Sequence, residues 1–150
     1  MKLMTPAFLD ANVPIYATGR SHPLREPCIE ILSFVAEHPE AFVTSAEVLQ
    51  ELLYRFLALR RWPQGREVLR GFADLMRERV EPVLAVDVER AAQLADSRPE
   101  LSSRDLVHAA LVQRLGLRYV VSADRDFDRL SGFERLDPAS FGTWKDIVLR

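Results

Sequence analysis

Four acidic residues stand where strands end or helices begin: Asp10, Glu51, Asp105 and Asp124, with Asp126 just behind the last. Asp10 follows the apolar pair Phe8-Leu9, and Asp124 follows Tyr119-Val120-Val121-Ser122-Ala123. Both fall at the carboxyl end of a predicted strand, the edge at which open α/β sheets bind ligands. Carboxylates gathered there suit a hard divalent cation. Mg2+ and Mn2+ take oxygen ligands, commonly carboxylates, waters and substrate phosphates. Such an ion activates a water and stabilises the charge that develops in attack on a phosphodiester. Asp is short and well placed at a strand end, whereas Glu reaches inward from a helix flank.

Each acid also has a structural use. Asp10 or Asn12 could cap the helix that follows. Glu51 could pair with Arg55 four residues on, worth about 0.2–0.5 kcal/mol, and Glu47 lies one turn earlier on the same side. Asp105 could complete a capping box with Ser102. Yet the helix it opens, Leu106 to Leu115, has little polar surface, and an acid at the mouth of a buried helix needs a partner. Asp124 could cap a short helix, but Asp124, Asp126 and Asp128 crowd one strand end and repel unless solvated or neutralised. His108 shares a helix face with Asp105. It is either a phosphate contact or, more simply, a packed histidine. Thr44 and Ser45 could help hold the first Asp or a metal-bound water, although capping is the simpler role.

The elements that must position these residues alternate. Predicted strands cover residues 6–9, 41–44, 82–86, 118–122 and 134–136. Predicted helices cover residues 12–17, 27–37, 46–60, 64–79, 102–115 and 125–130, with one capped by Asp87 and running to Asp96. The helix at 46–60 is the clearest, with Val48, Leu49, Leu52, Leu53, Phe56 and Leu59 on one stripe. Asp137-Pro138 begins an irregular tail. Strands alternating with helices predict an α/β fold with a parallel sheet covered on both faces.

Composition narrows the classes. A chain of 150 residues with 48% apolar content predicts one globular domain spanning 1–150. No run is long enough to span a membrane, and the N-terminus lacks a signal-peptide pattern, so a soluble cytoplasmic protein with no membrane partner is expected. The lone Cys28 excludes an internal disulfide and a thiolate metal cluster, and its apolar setting predicts a buried structural role. His22, His38 and His108 are too scattered for a histidine zinc site. The net charge of −2 is no footprint for nucleic acid. Nearly all positive charge is arginine, Lys2 and Lys145 excepted. That suits phosphate contacts and equally reflects arginine-biased codon usage.

Four segments taken in order carry a resemblance: Leu9-Asp10-Ala11-Asn12-Val13, Ser45 to Leu52, Arg104-Asp105-Leu106-Val107-His108-Ala109-Ala110 and Ser122-Ala123-Asp124-Arg125-Asp126-Phe127. Together they resemble the PIN domain, most closely the VapC-type toxin ribonucleases of prokaryotic toxin–antitoxin pairs. The resemblance covers essentially the whole chain. It implies a three-layer α/β/α sandwich with a central parallel sheet. It also implies an acidic Mg2+ or Mn2+ site and single-strand-directed RNA cleavage leaving a 5′-phosphate and a 3′-hydroxyl. The family's acids fall on Asp10, Glu51, Asp105 and Asp124, and Asp126 matches a less uniform fifth acid. Asn12 matches the polar residue that orients the first Asp. Glu51 is preferred to Glu47 because the family's Glu directly precedes an apolar residue late in the motif, as Glu51-Leu52 does.

The expected reading is thus a metal-dependent endoribonuclease toxin. Asp10, Asp105 and Asp124 would hold the metal, and Glu51 would ligate through water or orient the attacking water. An antitoxin partner and a homodimer follow from the resemblance, with the apolar helices at 27–37 and 46–76 as candidate surfaces. Residues 61–99 are the least family-like portion, where substrate or partner choice would reside. The competing reading is a non-catalytic RNA- or protein-binding module on the same fold. A phosphatase of the haloacid-dehalogenase type needs a second Asp two residues after the first, where this chain has Asn12.

Overall fold

Strands buried on both faces of a parallel sheet are apolar along their length, and the central strands of this sheet, Ala7–Leu9 and Tyr119–Val121, are written that way. The computed structural model describes residues 5–150. Its strands are β1 (Ala7–Leu9), β2 (Phe42–Ser45), β3 (Val80–Glu81), β4 (Tyr119–Val121) and β5 (Glu134–Leu136). They pair in the order β3-β2-β1-β4-β5, parallel throughout. β1 and β2 are buried along their whole length. β1 lies in the middle, with Phe8 opposite Val43 on one side and Val120 on the other. All carboxyl ends therefore share one edge, and Asp10 stands at its centre.

The main helices are α1 (Asn12–Thr18), α2 (Arg25–Glu37), α3 (Ala46–Ala58), α4 (Trp62–Leu75), α5 (Ala85–Ser97) and α6 (Ser103–Arg114). They pack as pairs, α1 on α2, α3 on α4 and α5 on α6, and complete a three-layer α/β/α arrangement. No helix among the described residues is long and apolar enough to cross a membrane. Ser45 and Ser102 act as the caps their positions predict. Ser45 accepts the Val48 N–H at 3.3 Å and Ser102 accepts the Asp105 N–H at 3.2 Å. Cys28 is fully buried, and burial pushes its thiol up to about 12.

Four expectations need correction. The third strand is Val80–Glu81 rather than residues 82–86. Its ladder pairs Val80 with Thr44 and Glu81 with Ser45. It stops at Pro82, which has no N–H to donate. The helix expected to reach Arg79 ends at Leu75, and Glu78 takes a left-handed φ of 68° in the turn. Asp87 caps α5 from inside its first turn, accepting the Leu84 N–H, rather than standing as the N-cap residue itself. The tail after Asp137 is ordered into short turns and α7 (Phe141–Trp144), and it buries Phe141, Trp144 and Val148 in the core. Those turns are too short for helical periodicity to reveal.

The α3–α4 hairpin depends on one close approach. A Cβ at Gly65 would lie 2.2 Å from the Phe56 Cβ, so only glycine lets the two helices meet here. The segment from α5 to α6 is tied by a buried ion pair. Arg114 donates to both Asp87 oxygens at 2.7 and 3.0 Å, and Asp87 also accepts the Leu84 N–H at 2.8 Å. Burial alone would raise the Asp87 pKa, but these donors outweigh it and hold the carboxyl below its ordinary value of 3.8. A depressed carboxylate pKa stabilises the fold fully above the unfolded-state value and loses that contribution as pH falls through the folded-state value. Asp87→Asn is therefore expected to cost about 1–3 kcal/mol at neutral pH. Its urea-unfolding curve should converge on the wild-type curve as pH drops below 3.8. A cost that stays undiminished well below that pH would contradict this.

Candidate active site

The centre of the site is the end of β1. Asp10 is 5% exposed and its carboxylate is held from three directions. Oδ1 accepts the Ala11 N–H at 2.8 Å, and Oδ2 accepts the Ser122 hydroxyl at 2.6 Å and the Asn12 amide at 3.2 Å. Asn12 thus orients Asp10, as the resemblance implies, and neither side chain serves as a helix cap in the expected way. α1 has no side-chain cap bond.

Ser122 is the residue that sequence reasoning missed. It is fully buried at the end of β4, next to β1. Its hydroxyl has one hydrogen to give and two lone pairs to fill. It gives the hydrogen to Asp10 and accepts from Asn12 Nδ2 and the Asp124 N–H, both at 3.0 Å. Every valence of the group is used, and Asp10, Asn12 and Asp124 are fixed relative to one another. The Asn12 carbonyl closes the ring by accepting the Ala123 N–H at 3.3 Å. A serine next to a strand's end carries no signal of this in sequence.

The acids divide into two adjoining groups. In the first, Asp10, Glu51 and His108 offer ligand atoms within 4.8 Å of one another. In the second, Asp105, Asp124 and Asp126 do the same. All five expected acids are thus present at the C-terminal edge of the sheet. Asp105 does not complete a capping box; its carboxylate lies with Asp124 and Asp126. Glu51 does not pair with Arg55 as its spacing suggested. It meets His108 Nε2 at 3.3 Å and Arg104 at 3.9 Å. Asp128 is withdrawn from the cluster by a two-pronged pair with Arg135, at 3.0 and 3.2 Å.

His108 is packed, as the simpler reading held, but it is packed inside the site. It is 1% exposed, between the rings of Phe8 and Phe127. Its Nε2 reaches Glu51 and lies 3.7 Å from Asp10 Oδ1, while Nδ1 has no partner among the described residues. Burial alone would lower its pKa. The Glu51 hydrogen bond and the Asp10 charge prevail and hold it above the ordinary value.

Burial raises the Asp10 pKa, opposed chiefly by His108. Asp105 is pushed up to about 7, first by burial and then by the Asp124 charge and hydrogen bond beside it. Carboxylates this close resist ionising together unless a cation joins them. The donor set is oxygen-rich and clustered, which fits a hard divalent cation.

Comparison with known proteins agrees with this geometry. The PIN domain family model matches residues 7–132. Ribonuclease VapC23 of Mycobacterium tuberculosis is 42% identical over 120 residues, covering 78% of this chain and 91% of that protein. Ribonuclease VapC13 of the same organism is 34% identical over 131 residues, covering 85% and 97%. Among solved structures, VapBC2 from Rickettsia felis, bound to a DNA fragment from their promoter, superposes with a TM-score of 0.68. It is 17% identical and covers 87% of this chain and 97% of that one. The chain belongs to the PIN-domain family.

Removing the Ser122 hydroxyl leaves the Asn12 amide and the Asp124 N–H short of an acceptor in a buried setting. Ser122→Ala is expected to lower stability by about 1–3 kcal/mol, read by reversible urea unfolding. A change below about 0.5 kcal/mol, the size of an ordinary surface substitution, would show that the hydroxyl is not the tie described.

Proposed function

We propose that this chain is a divalent-metal-dependent endoribonuclease, the toxin of a type II toxin–antitoxin pair, acting in the cytoplasm. The observation that carries the reading is the gathering of Asp10, Glu51, Asp105, Asp124 and Asp126 at one edge of the sheet. Relatives named as VapC ribonucleases support the RNA substrate, and VapBC and FitAB complexes among the structural neighbours support an antitoxin.

Asp10, Asp105 and Asp124 would hold Mg2+ or Mn2+, with Asp126 at the outer side and Glu51 beside Asp10. The ion would supply Lewis-acid stabilisation of the phosphate and a water of lowered pKa. The residues of the chain supply the rest. Ser122 and Asn12 keep Asp10 aimed without a change of rotamer. Glu51 is 22% exposed at its side chain, so it can reach an incoming water while His108 restrains its other face. Attack in line with the scissile P–O bond leaves a 5′-phosphate on one product and a 3′-hydroxyl on the other.

RNA cleavage by the purified protein tests this reading. Activity should need Mg2+ or Mn2+ and vanish in EDTA. Asp10→Asn and Asp124→Asn should each reduce the rate by more than the roughly 10–100-fold typical of groups behind the metal ligands. Cleavage that survives EDTA or either substitution would sink it.

Homodimer formation belongs to the same reading. The outer side of α3 leaves Leu53, Tyr54 and Leu57 exposed, the last two at 57% and 51%, an apolar strip that a second copy would cover. Sedimentation should give a dimer for the wild type and a monomer for Leu53→Glu/Leu57→Glu. A monomeric wild type, or an unchanged variant, would exclude this surface.

A further inference from the structure

A cleft of about 350 Å³ opens where the end of α1 and the loop after it face the end of α3 and the start of α4. It is within the range of about 300–1,000 Å³ usual for ligand sites. Arg20, Arg55 and Arg61 line it, and no acidic residue does. None of the three makes an ion pair with another described residue, in a chain whose net charge is −2. About half of the other arginines are ion-paired, as Arg114 is with Asp87 and Arg135 with Asp128. Three unpaired guanidinium groups around one cleft favour a polyanion.

The same cleft holds an aromatic stack. Tyr16 and His22 lie with ring centroids 4.5 Å apart and planes 26° from parallel. His22 is fixed there because its Nδ1 accepts the Leu24 N–H at 3.0 Å, and it is exposed to solvent. Phe56, held against Gly65, forms part of the floor. Stacked rings beside cations are how single-stranded nucleic acid is held without sequence preference: bases on the rings, phosphates on the arginines. An acidic peptide would use the arginines but would have no need of the rings.

The cleft is also placed for it. Arg55 is one turn beyond Glu51 on the same face of α3, and Tyr16 is one turn beyond Asn12 on the same face of α1. One turn is about 5.4 Å. The lining of the cleft therefore begins about one helical turn from Glu51 and Asn12.

We propose that this Arg20–Arg55–Arg61 cleft, with the Tyr16–His22 stack, is a subsite for the single-stranded RNA next to the scissile phosphate. It rests on the ribonuclease reading, and it is tested by binding so that the two can fail separately. Anisotropy of a labelled single-stranded RNA is measured in EDTA, where cleavage is absent, between about 50 and 200 mM salt. Each phosphate contact contributes about 0.7 to the log–log salt slope for a single strand. Arg20→Gln/Arg55→Gln/Arg61→Gln should therefore make the slope shallower by about two. Tyr16→Ala/His22→Ala should weaken binding about tenfold with little change in slope. Arg70→Gln, on α4 outside the cleft, is the matched control and should match the wild type. Circular dichroism melting of each variant checks that it is folded. An unchanged slope in the triple variant overturns the subsite even if the wild type cleaves RNA. So does a wild type that binds no RNA. Loss of binding to a poly-glutamate peptide with RNA binding intact would overturn it in favour of an acidic protein partner. Loss of RNA binding in the cleft variants supports it, whatever the cleavage assay gives.

Discussion

The hydroxyl of Ser122 joins the ends of two neighbouring strands, and the site depends on it. Its single hydrogen goes to Asp10 and its two lone pairs receive Asn12 and the Asp124 backbone. Without such a tie, β1 and β4 would still pair, but the two acids at their ends would be free to swing apart. Mutual repulsion would drive them to do so. The parallel register puts the carboxylates at one edge, and the serine keeps them there.

Two further groups temper the same repulsion. His108 stands between Glu51 and Asp10, with its Nε2 in hydrogen-bond contact with Glu51 at 3.3 Å and 3.7 Å from Asp10. Arg135 takes Asp128 out of the cluster and also donates to the Ser122 carbonyl at 3.1 Å, bracing the strand end from behind. What remains is a cluster in which Asp105, partly buried beside Asp124, resists ionising. The raised Asp105 pKa is the sign of that residual strain, and a divalent cation is the natural way to relieve it. Structure and proposed chemistry meet at this point: the fold holds the acids in a state that binding completes.

Much of this was legible in the sequence. An apolar run ending in Asp marks the carboxyl end of a buried strand, so Asp10 and Asp124 could be placed from pattern alone. Ser45 and Ser102 could be read as caps because capping is local. The contacts that join distant segments could not be read. Glu51 and His108 are 57 positions apart, and nothing local distinguishes a histidine facing an acid from one facing a phenylalanine. Ser122 was hidden for the same reason, since two of its three partners, Asp10 and Asn12, lie more than a hundred residues away. β3 was misplaced because two residues give no periodicity, and the constraint on it is the missing N–H of Pro82. The buried tail escaped notice because Phe141, Trp144 and Val148 are spread over short turns.

The central claim is that these acids form one divalent-cation site organised on Asp10. The most direct measurement is a crystal soaked in Mn2+, with diffraction recorded at the manganese absorption edge. The account predicts an anomalous peak bonded to Asp10 together with Asp105 or Asp124, and its loss in Asp10→Asn crystals. A peak confined to other carboxylates, or none at a Mn2+ concentration that supports RNA cleavage, would contradict it.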